Sequence, residues 1–109
     1  MDAGRLRERV TIEGEVRKPN GQGGFTTGWA TVARSVPAEI IGLTGDEALR
    51  LGVERSASQY RVTMRRRSDV SPKNRLKWKG QIMAIRSVVP DARDPNVAIV
   101  LTAEIGVGS

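Results

Sequence analysis

The stretch RVTIEGEV, Arg9–Val16, alternates apolar and polar residues and decides the fold class of the chain. Val10, Ile12 and Val16 lie on one side of an extended backbone, and polar residues lie on the other. This period of two is typical of a half-buried β-strand, whereas an amphipathic helix would repeat its apolar residues every three to four positions. The sequence therefore predicts a strand with one face in a core.

The same alternation returns along the rest of the chain. WATVARSVPAEII, residues 29–41, places Val36, Ala38 and Ile40 on one face, and YRVTM places Tyr60, Val62 and Met64 inward. QIMAIRSVV and VAIVLTAEI predict two more strands, and RLKWKG puts Leu76 and Trp78 on a shared face. Pro37 lacks a backbone N–H, so its strand is predicted to lie at an edge or to be bulged and bent.

Glycine, proline and asparagine mark the connections between these strands. RKPNGQGGFTTG, residues 17–28, predicts a long hairpin loop, and VSPKN and PDARDPN predict turns. Four to six short strands in 109 residues favour a single domain, residues 1–109, that is mainly all-β. We expect a small, strongly bent antiparallel β-barrel.

One segment breaks the pattern between the second and third strands. In LTGDEALRLGVERSA, Thr44 and Glu47 have capping-box spacing, and Gly52 would end a short helix. Such a helix would cover under three turns and is marginal alone in water. We therefore expect a long loop or short helix as an excursion over about residues 41–57.

Composition narrows the chemistry. Lys and Arg number 18 against 12 Asp and Glu, giving a formal net charge of +6, which suggests an acidic partner such as nucleic acid or an acidic protein face. The chain has no cysteine and no histidine, so a thiolate nucleophile and the usual zinc ligands are missing, and we predict neither catalysis nor a metal site. No apolar run approaches the roughly 20 residues that span a bilayer, and we expect a soluble, cytosolic chain without membrane contact.

The glycine-rich segments do not match the known phosphate-binding motifs. Gly21-Gln22-Gly23 has Thr26 where the dinucleotide pattern needs its last glycine, and Gly23 to Gly28 has Trp29 where the Walker lysine should stand. Asp91 with Asp94, like Asp46 with Glu47, is more typical of turn and cap residues than of a cation site.

Basic residues concentrate between Arg55 and Lys79, where nine of them accompany one acid, Asp69. If the strand continues through YRVTMRRR, Arg61, Arg65 and Arg67 share one face and Arg66 points to the other. Lys77 and Lys79 share the polar face of RLKWKG, so a basic sheet face is predicted. Two interpretations stay open: a solvated face that discourages edge pairing, and a contact surface. Reading of bases is disfavoured, because Phe25 alone among the aromatic residues is placed to stack on them.

An ordered set of motifs adds a resemblance that covers nearly the whole chain. The set comprises G-x-L-x-x-R-V-T-I from Gly4, N-G-Q-G-G-F before Trp29, V-x-A-x-I-x-G-L-x-G-x-E from Val36, R-V-T-M-R-R-R-S-D-V, and W-K-G-Q-I-M-A-I-R-S-V before a final strand. In this order the motifs resemble the tailed-phage head-tail joining family, also called head-tail adaptor, head completion or stopper proteins.

The resemblance implies a structural virion protein without enzyme activity or cofactor, from a phage or a gene-transfer particle. Such proteins form a homo-oligomeric ring, commonly twelvefold, below the portal; the implied partners are the portal or adaptor ring, tail-side proteins, neighbouring copies and the packaged double-stranded DNA. The protein would be made in the host cytoplasm and reside at the head-tail connector. The runner-up interpretation is a small basic β-barrel that binds nucleic acid.

The resemblance also suggests roles for individual residues. The excursion between strands two and three would be a channel or gating loop, with candidate residues Leu43, Asp46, Glu47, Leu49, Leu51 and Glu54. The basic residues would contact the portal or a neighbouring subunit, with candidates Arg61, Arg65, Arg67, Lys77 and Lys79.

Overall fold

A computed structural model describes residues 3–43 and 58–105 of the chain. A short 3-10 turn, Ala3–Arg5, is followed by six strands: β1 Glu8–Pro19, β2 Phe25–Gly42, β3 Ser58–Arg65, β4 Arg75–Trp78, β5 Gln81–Pro90 and β6 Ala98–Ile105. All neighbours pair antiparallel, and the strands close into a barrel in the order β1-β2-β3-β6-β5-β4. The predicted small antiparallel barrel is confirmed. In the described ranges no helix has the length and apolar character needed to cross a membrane.

The barrel interior is filled by the alternating apolar residues that the sequence pattern marks. Its largest fully buried side chains are Val10, Ile12, Val62, Met64, Leu76, Met83 and Leu101. Val36 and Ala38 are buried as predicted, and Ile40 packs against the core while partly exposed. The period-two assignments of the inward faces of β2 and β3 are therefore confirmed.

Two aromatic side chains meet across one end of the interior. Tyr60 on β3 and Trp78 on β4 form an edge-to-face contact with ring centroids 5.7 Å apart. Trp78 Nε1 donates a hydrogen bond of 3.0 Å to Glu8 Oε1, so the polar atom of the indole is satisfied. Core packing, as the sequence suggested, explains both rings.

The predicted long loop over residues 17–28 is wrong in extent. β1 continues to Pro19 and β2 starts at Phe25, so the connection is only residues 20–24. Asn20 Oδ1 accepts hydrogen bonds from the backbone N–H groups of Gln22 and Gly24, and Gly21 and Gly23 have positive φ. The glycines and Asn20 thus build a compact turn, and Trp29 lies inside β2 instead of opening it.

The bend predicted near Pro37 is a bulge within β2. Val10 pairs with Val36 but Ile12 pairs with Ala33, so β2 carries an extra residue here, and Ser35 has a φ of 51°. Pro37 pairs with Arg9 of β1, and the ladder between β2 and β3 begins only at Ala38, so the missing N–H disrupts no ladder with β3.

The two ends of the barrel carry different connections. One end bears the β1–β2 hairpin, the loop from β3 to β4 and the loop from β5 to β6, since Glu13 pairs with Arg75 and Pro90 pairs with Ile99 there. The opposite end bears the two-residue turn from β4 to β5 and the points where β2 stops and β3 starts. Because the two ends differ in this way, each candidate surface can be assigned to one end or to a side of the barrel.

Candidate assembly surfaces

The most extended feature is a two-stranded arm made of residues 14–30. Its cross-strand pairs run from Gly14 with Ala30 to Pro19 with Phe25. β4 pairs with β1 only at residues 11–13, and β3 pairs with β2 only at residues 38–42, so along the arm neither edge pairs with another described strand. The molecule is correspondingly elongated, with principal extents of 49 × 30 × 23 Å. Unpaired edges of this kind are ready to contact another chain.

One face of the arm carries two aromatic rings, each covered by an arginine. The Arg17 guanidinium lies 4.4 Å from the centroid of Phe25, and that of Arg75 lies 4.2 Å from the centroid of Trp29. Arg75 Nε also donates to Glu13 Oε1 at 2.7 Å, which holds the guanidinium at the base of the arm. Phe25 nevertheless remains 58% exposed, so this face keeps apolar surface in water.

The other face continues the barrel's inward face and is flat near its base, while Lys18 lies farther out with its Nζ 3.5 Å from the position that a Cβ would take at Gly28. It carries Gly14, Val16, Gly28 and Ala30, with Val32 next to them on β2. A Cβ at Gly14 would lie only 3.0 Å from Val32 Cγ2, so the small residue lets that valine approach the backbone closely. Val32 is 41% exposed. The face therefore keeps exposed apolar surface at Val32, beside Gly14.

The basic residues do not form the single sheet face that the sequence predicted. Arg61 and Arg65 are exposed on β3, whereas Lys77 is exposed on β4. In the closed barrel two strands separate β3 from β4 in either direction around the ring. The arginines and lysines therefore lie on opposite sides of the barrel.

The predicted strand through Arg67 is also wrong, because β3 ends at Arg65. The Arg66 backbone N–H donates to the Val97 carbonyl at 2.7 Å, and its Nη1 donates to the Pro95 carbonyl at 3.0 Å. Arg67 forms a two-bond ion pair with Asp69, at 2.6 and 2.9 Å.

That hydrogen-bonded pair lowers the pKa of the Asp69 carboxyl and raises the pKa of Arg67. Arg67 thus has its charge balanced locally instead of standing in a row with the β3 arginines.

Lys79 lies in the turn at the opposite end from the arm. Lys79 and Gly80 both have positive φ between the paired residues Trp78 and Gln81, as expected for a tight two-residue hairpin. Lys79 Nζ lies 5.1 Å from the centroid of Trp78 and 3.9 Å from Glu8 Oε1. Its exposed ammonium is available at this end of the barrel.

Most of the candidate gating residues, Asp46, Glu47, Leu49, Leu51 and Glu54, lie outside the described residues. Leu43 is half-buried, and its backbone N–H donates to the Gln59 carbonyl at 2.9 Å, which extends the pairing between β2 and β3 by one residue. The segment between Leu43 and Ser58 therefore leaves and rejoins the barrel at the end opposite the arm.

The described ranges contain no group of three or more acidic, histidine or cysteine side chains that could hold a metal ion. Asp91 and Asp94 act in the loop between β5 and β6. The Asp94 carbonyl accepts hydrogen bonds from the N–H groups of Val97 and Ala98 at 3.0 Å, and the Asp91 N–H donates to the Ala98 carbonyl.

The structure combines a closed barrel with an exposed arm at one end and basic residues on opposite sides, which are surfaces that another protein can contact. Comparison with known proteins identifies the family of this chain. The phage head completion protein family matches residues 1–106, and the head completion protein gp7 of Enterobacteria phage HK97 is 36% identical over 90 residues, covering 78% of this chain and 80% of that protein. This chain belongs to the phage head completion protein family, which supports a structural role in the virion.

Solved structures share the fold. The solution structure of protein SF1141 from Shigella flexneri 2a matches with a TM-score of 0.78 at 22% identity and full coverage of both chains. A chain in the virion of a native gene transfer agent particle matches with a TM-score of 0.69 at 20% identity, covering 95% of this chain and 98% of that one. Both confirm the barrel architecture.

Proposed function

We propose that this chain is a non-enzymatic joining protein that forms a ring below the portal, connects the head to the tail and helps close the DNA channel. Family membership supports the structural role. The observation that supports ring formation is the arm of residues 14–30, which projects from the barrel with exposed faces and unpaired edges. A two-stranded ribbon is marginal by itself in water, so an arm of this length suits a surface that is covered on assembly.

A neighbouring copy is the partner that the flat face of the arm suits best. Each chain carries a formal net charge of +6, so copies that meet through charged surfaces would repel one another. At the base of the arm this face carries Gly14, Val16 and Ala30, with Val32 adding apolar area beside them, and its one lysine, Lys18, lies farther out over Gly28. Contact centred on Gly14 and Val32 buries apolar surface four residues along the strand from Lys18.

The gating role falls to the segment from Leu43 to Ser58, at the other end of the barrel. Asp46, Glu47 and Glu54 would give a channel lining that does not attract DNA phosphates, and the leucines 43, 49 and 51 would supply contacts between copies. With the arm holding neighbours at one end, these segments would meet around the channel at the other. A twelvefold ring is the expected form.

Portal or tail-side contact is assigned to the basic residues, with Arg61 and Arg65 on one side of the barrel, Lys77 on the other, and Lys79 in the turn at the end opposite the arm. Complementary charge would orient the ring during docking and raise its rate of association. Arg67 contributes least to such a contact, because Asp69 already neutralises it.

Complementation of filled heads tests this proposal. Purified chain is added to DNA-filled heads that lack it, and tail attachment and retained DNA are measured. We expect both to be restored, and we expect a variant with residues 45–56 replaced by a short Gly-Ser linker to restore attachment while the heads lose DNA. If the full chain restores neither, the joining function is wrong; if the shortened variant retains DNA, the gating assignment is wrong.

A nucleic-acid-binding barrel is the second candidate, and one observation favours it. Phe25 is exposed at the tip of the arm with the Arg17 guanidinium over its ring, an aromatic and basic pair of the kind that stacks on single-stranded bases. Fluorescence anisotropy with a labelled oligonucleotide distinguishes the two. Salt-dependent binding by the isolated chain that Phe25→Ala abolishes would favour this candidate over the joining ring.

A further inference from the structure

A cleft of about 570 Å³ lies on the outer side of the barrel where β3, β6 and β5 are neighbours. Its floor is a row of cross-strand partners: Thr63 pairs with Val100, which pairs with Val89. Thr63 is only 4% exposed although it faces away from the core, whereas Val89 is 50% exposed. The floor is therefore recessed at β3 and rises to an apolar ridge at β5.

Arginines border this floor on both sides. Arg5 and Arg61 line one side, and Arg93, in the loop from β5 to β6, lines the other. Across residues 3–43 and 58–105, neither Arg61 nor Arg93 forms a side-chain hydrogen bond or ion pair. Both guanidiniums thus border a recess without using their hydrogen-bonding capacity on the described part of the chain.

One carboxylate already shows the effect of these arginines. Arg5 holds Glu39 with two hydrogen bonds of 2.9 and 3.1 Å. Those bonds, with a further electrostatic contribution from Arg61, lower the pKa of the Glu39 carboxyl. Arg5 is therefore committed to Glu39, and the excess positive charge of the cleft rests on Arg61 and Arg93.

We propose that this cleft is a docking groove for an acidic, partly apolar segment of a partner protein in the assembled particle. The segment's carboxylates pair with Arg61 and Arg93, and an apolar side chain lies on Val89 and Val100. Arginine matches carboxylates through paired N–H donors, which gives the contact orientation as well as strength. This inference rests on the proposed joining function and names the chemistry of one partner contact.

The lining favours a peptide over DNA. Phosphate backbones are tracked by extended basic stripes, whereas this recess also carries Pro90 and Ala92 and includes a carboxylate, Asp91, in its wall. The groove is therefore mixed in character, as expected for a site that holds a short segment with alternating acidic and apolar side chains.

Site-specific photo-crosslinking in purified particles tests the groove. The full chain with benzoylphenylalanine in place of Ala92 is assembled into particles and irradiated, and the captured peptide is identified by mass spectrometry. The same probe at the exposed Lys73, next to Asn74, which bonds β1 on the other side of the barrel, is the control. We expect Ala92 to capture a protein segment rich in Asp or Glu. Arg61→Gln and Arg93→Glu should each reduce the yield at least fivefold, and Lys73→Glu, at an exposed lysine with no assigned contact, should not.

The outcomes separate the groove from the joining function. Incorporation of the probe-bearing chain into particles reports on joining, and the cross-link reports on the groove. Particles that contain the chain but give no Ala92 cross-link, a cross-link to DNA, or a yield that both arginine substitutions leave unchanged would each overturn the groove. Thermal melting of Arg61→Gln and Arg93→Glu within about 4 °C of the parent, the shift for less than about 1 kcal/mol, would show that a lost cross-link is not lost folding.

Discussion

Shortening the arm by one pair of residues in each strand should separate assembly from folding. Deleting Lys18 with Pro19 and Phe25 with Thr26 leaves the turn of residues 20–24 on the pair Arg17 and Thr27, which has the same orientation as the original closing pair. The arm loses about 7 Å of length, since each strand residue adds about 3.4 Å. The barrel, whose ladders all lie below this point, keeps every contact.

The expected change in the free energy of unfolding is small. The deletion removes two cross-strand pairs, worth about 0.2–1 kcal/mol each, and the contact of Arg17 with Phe25, worth about 0.5–1 kcal/mol. The deletion also removes the backbone hydrogen bonds of these pairs, and the ordering cost of the four deleted residues, which disappears with them, offsets the combined loss. We expect Tm to stay within about 8 °C of the parent, corresponding to about 1 kcal/mol.

The functional effect should be much larger. If the arm contacts a neighbouring copy, we expect at least a tenfold drop in tail attachment when the shortened chain is added to filled heads lacking the protein. Ile82→Ala is the matched control, because it trims an exposed apolar side chain on β5 far from the arm.

Two results would refute the reasoning. Attachment equal to that of the parent would show that the end of the arm makes no required contact. A loss of more than about 15 °C in Tm would show that the arm is integral to the folded barrel, because this corresponds to at least about 2 kcal/mol.

Three further predictions concern the barrel itself. Leu76→Ala, at a fully buried position, should cost about 2–5 kcal/mol in urea unfolding, whereas Ile82→Ala should cost under about 1 kcal/mol; equal costs would contradict the assigned inward face of β4. Glu39→Gln should lose about 0.5 kcal/mol near pH 7, because the partner Arg5 is nearly half exposed. Since the pKa of Glu39 is lowered in the fold, the difference should shrink as the pH falls below the ordinary pKa of a glutamate carboxyl and the folded-state carboxylate becomes protonated, and a pH-independent gap would exclude the ion pair as its cause. Gly80→Ala should lower stability by about 1 kcal/mol through its φ of 78°, and an unchanged Tm would argue against the left-handed turn.

The barrel could be predicted because its signal is local. An antiparallel strand with one buried face must alternate apolar and polar residues. The inward orientation of Val36, Ala38, Val62 and Met64 could therefore be predicted without knowing the neighbouring strands. The same dependence on alternation explains why the sequence does not predict the arm. Both of its faces meet solvent, so its strands do not alternate, and the glycines around Asn20 resemble a longer loop.

The layout of charge could not be read from the sequence, because it depends on strand order. Arg61 and Lys77 are close along the chain, yet closure of the barrel through β6 and β5 places them on opposite sides. Arg67 was misassigned because the pairing with Asp69, two residues away, follows the end of β3 rather than its continuation. The cleft bordered by Arg61 and Arg93 brings β3 beside a loop some thirty residues later, a juxtaposition that alternation does not encode.

In the proposed ring, the barrel would link the arm at one of its ends to the gating segment at the other. Within the barrel every strand pairs on both sides, so the body resists shear, and a contact at one end fixes the orientation of the other. Under the proposed function, neighbours joined through their arms would hold Leu43 and Ser58 of each copy at fixed positions around the channel. The cleft lies on the flank of the barrel, built on β3, β6 and β5. A partner segment bound there would contact the same barrel to which the gating segment is attached. Partner binding and channel closure would therefore be coupled through the barrel.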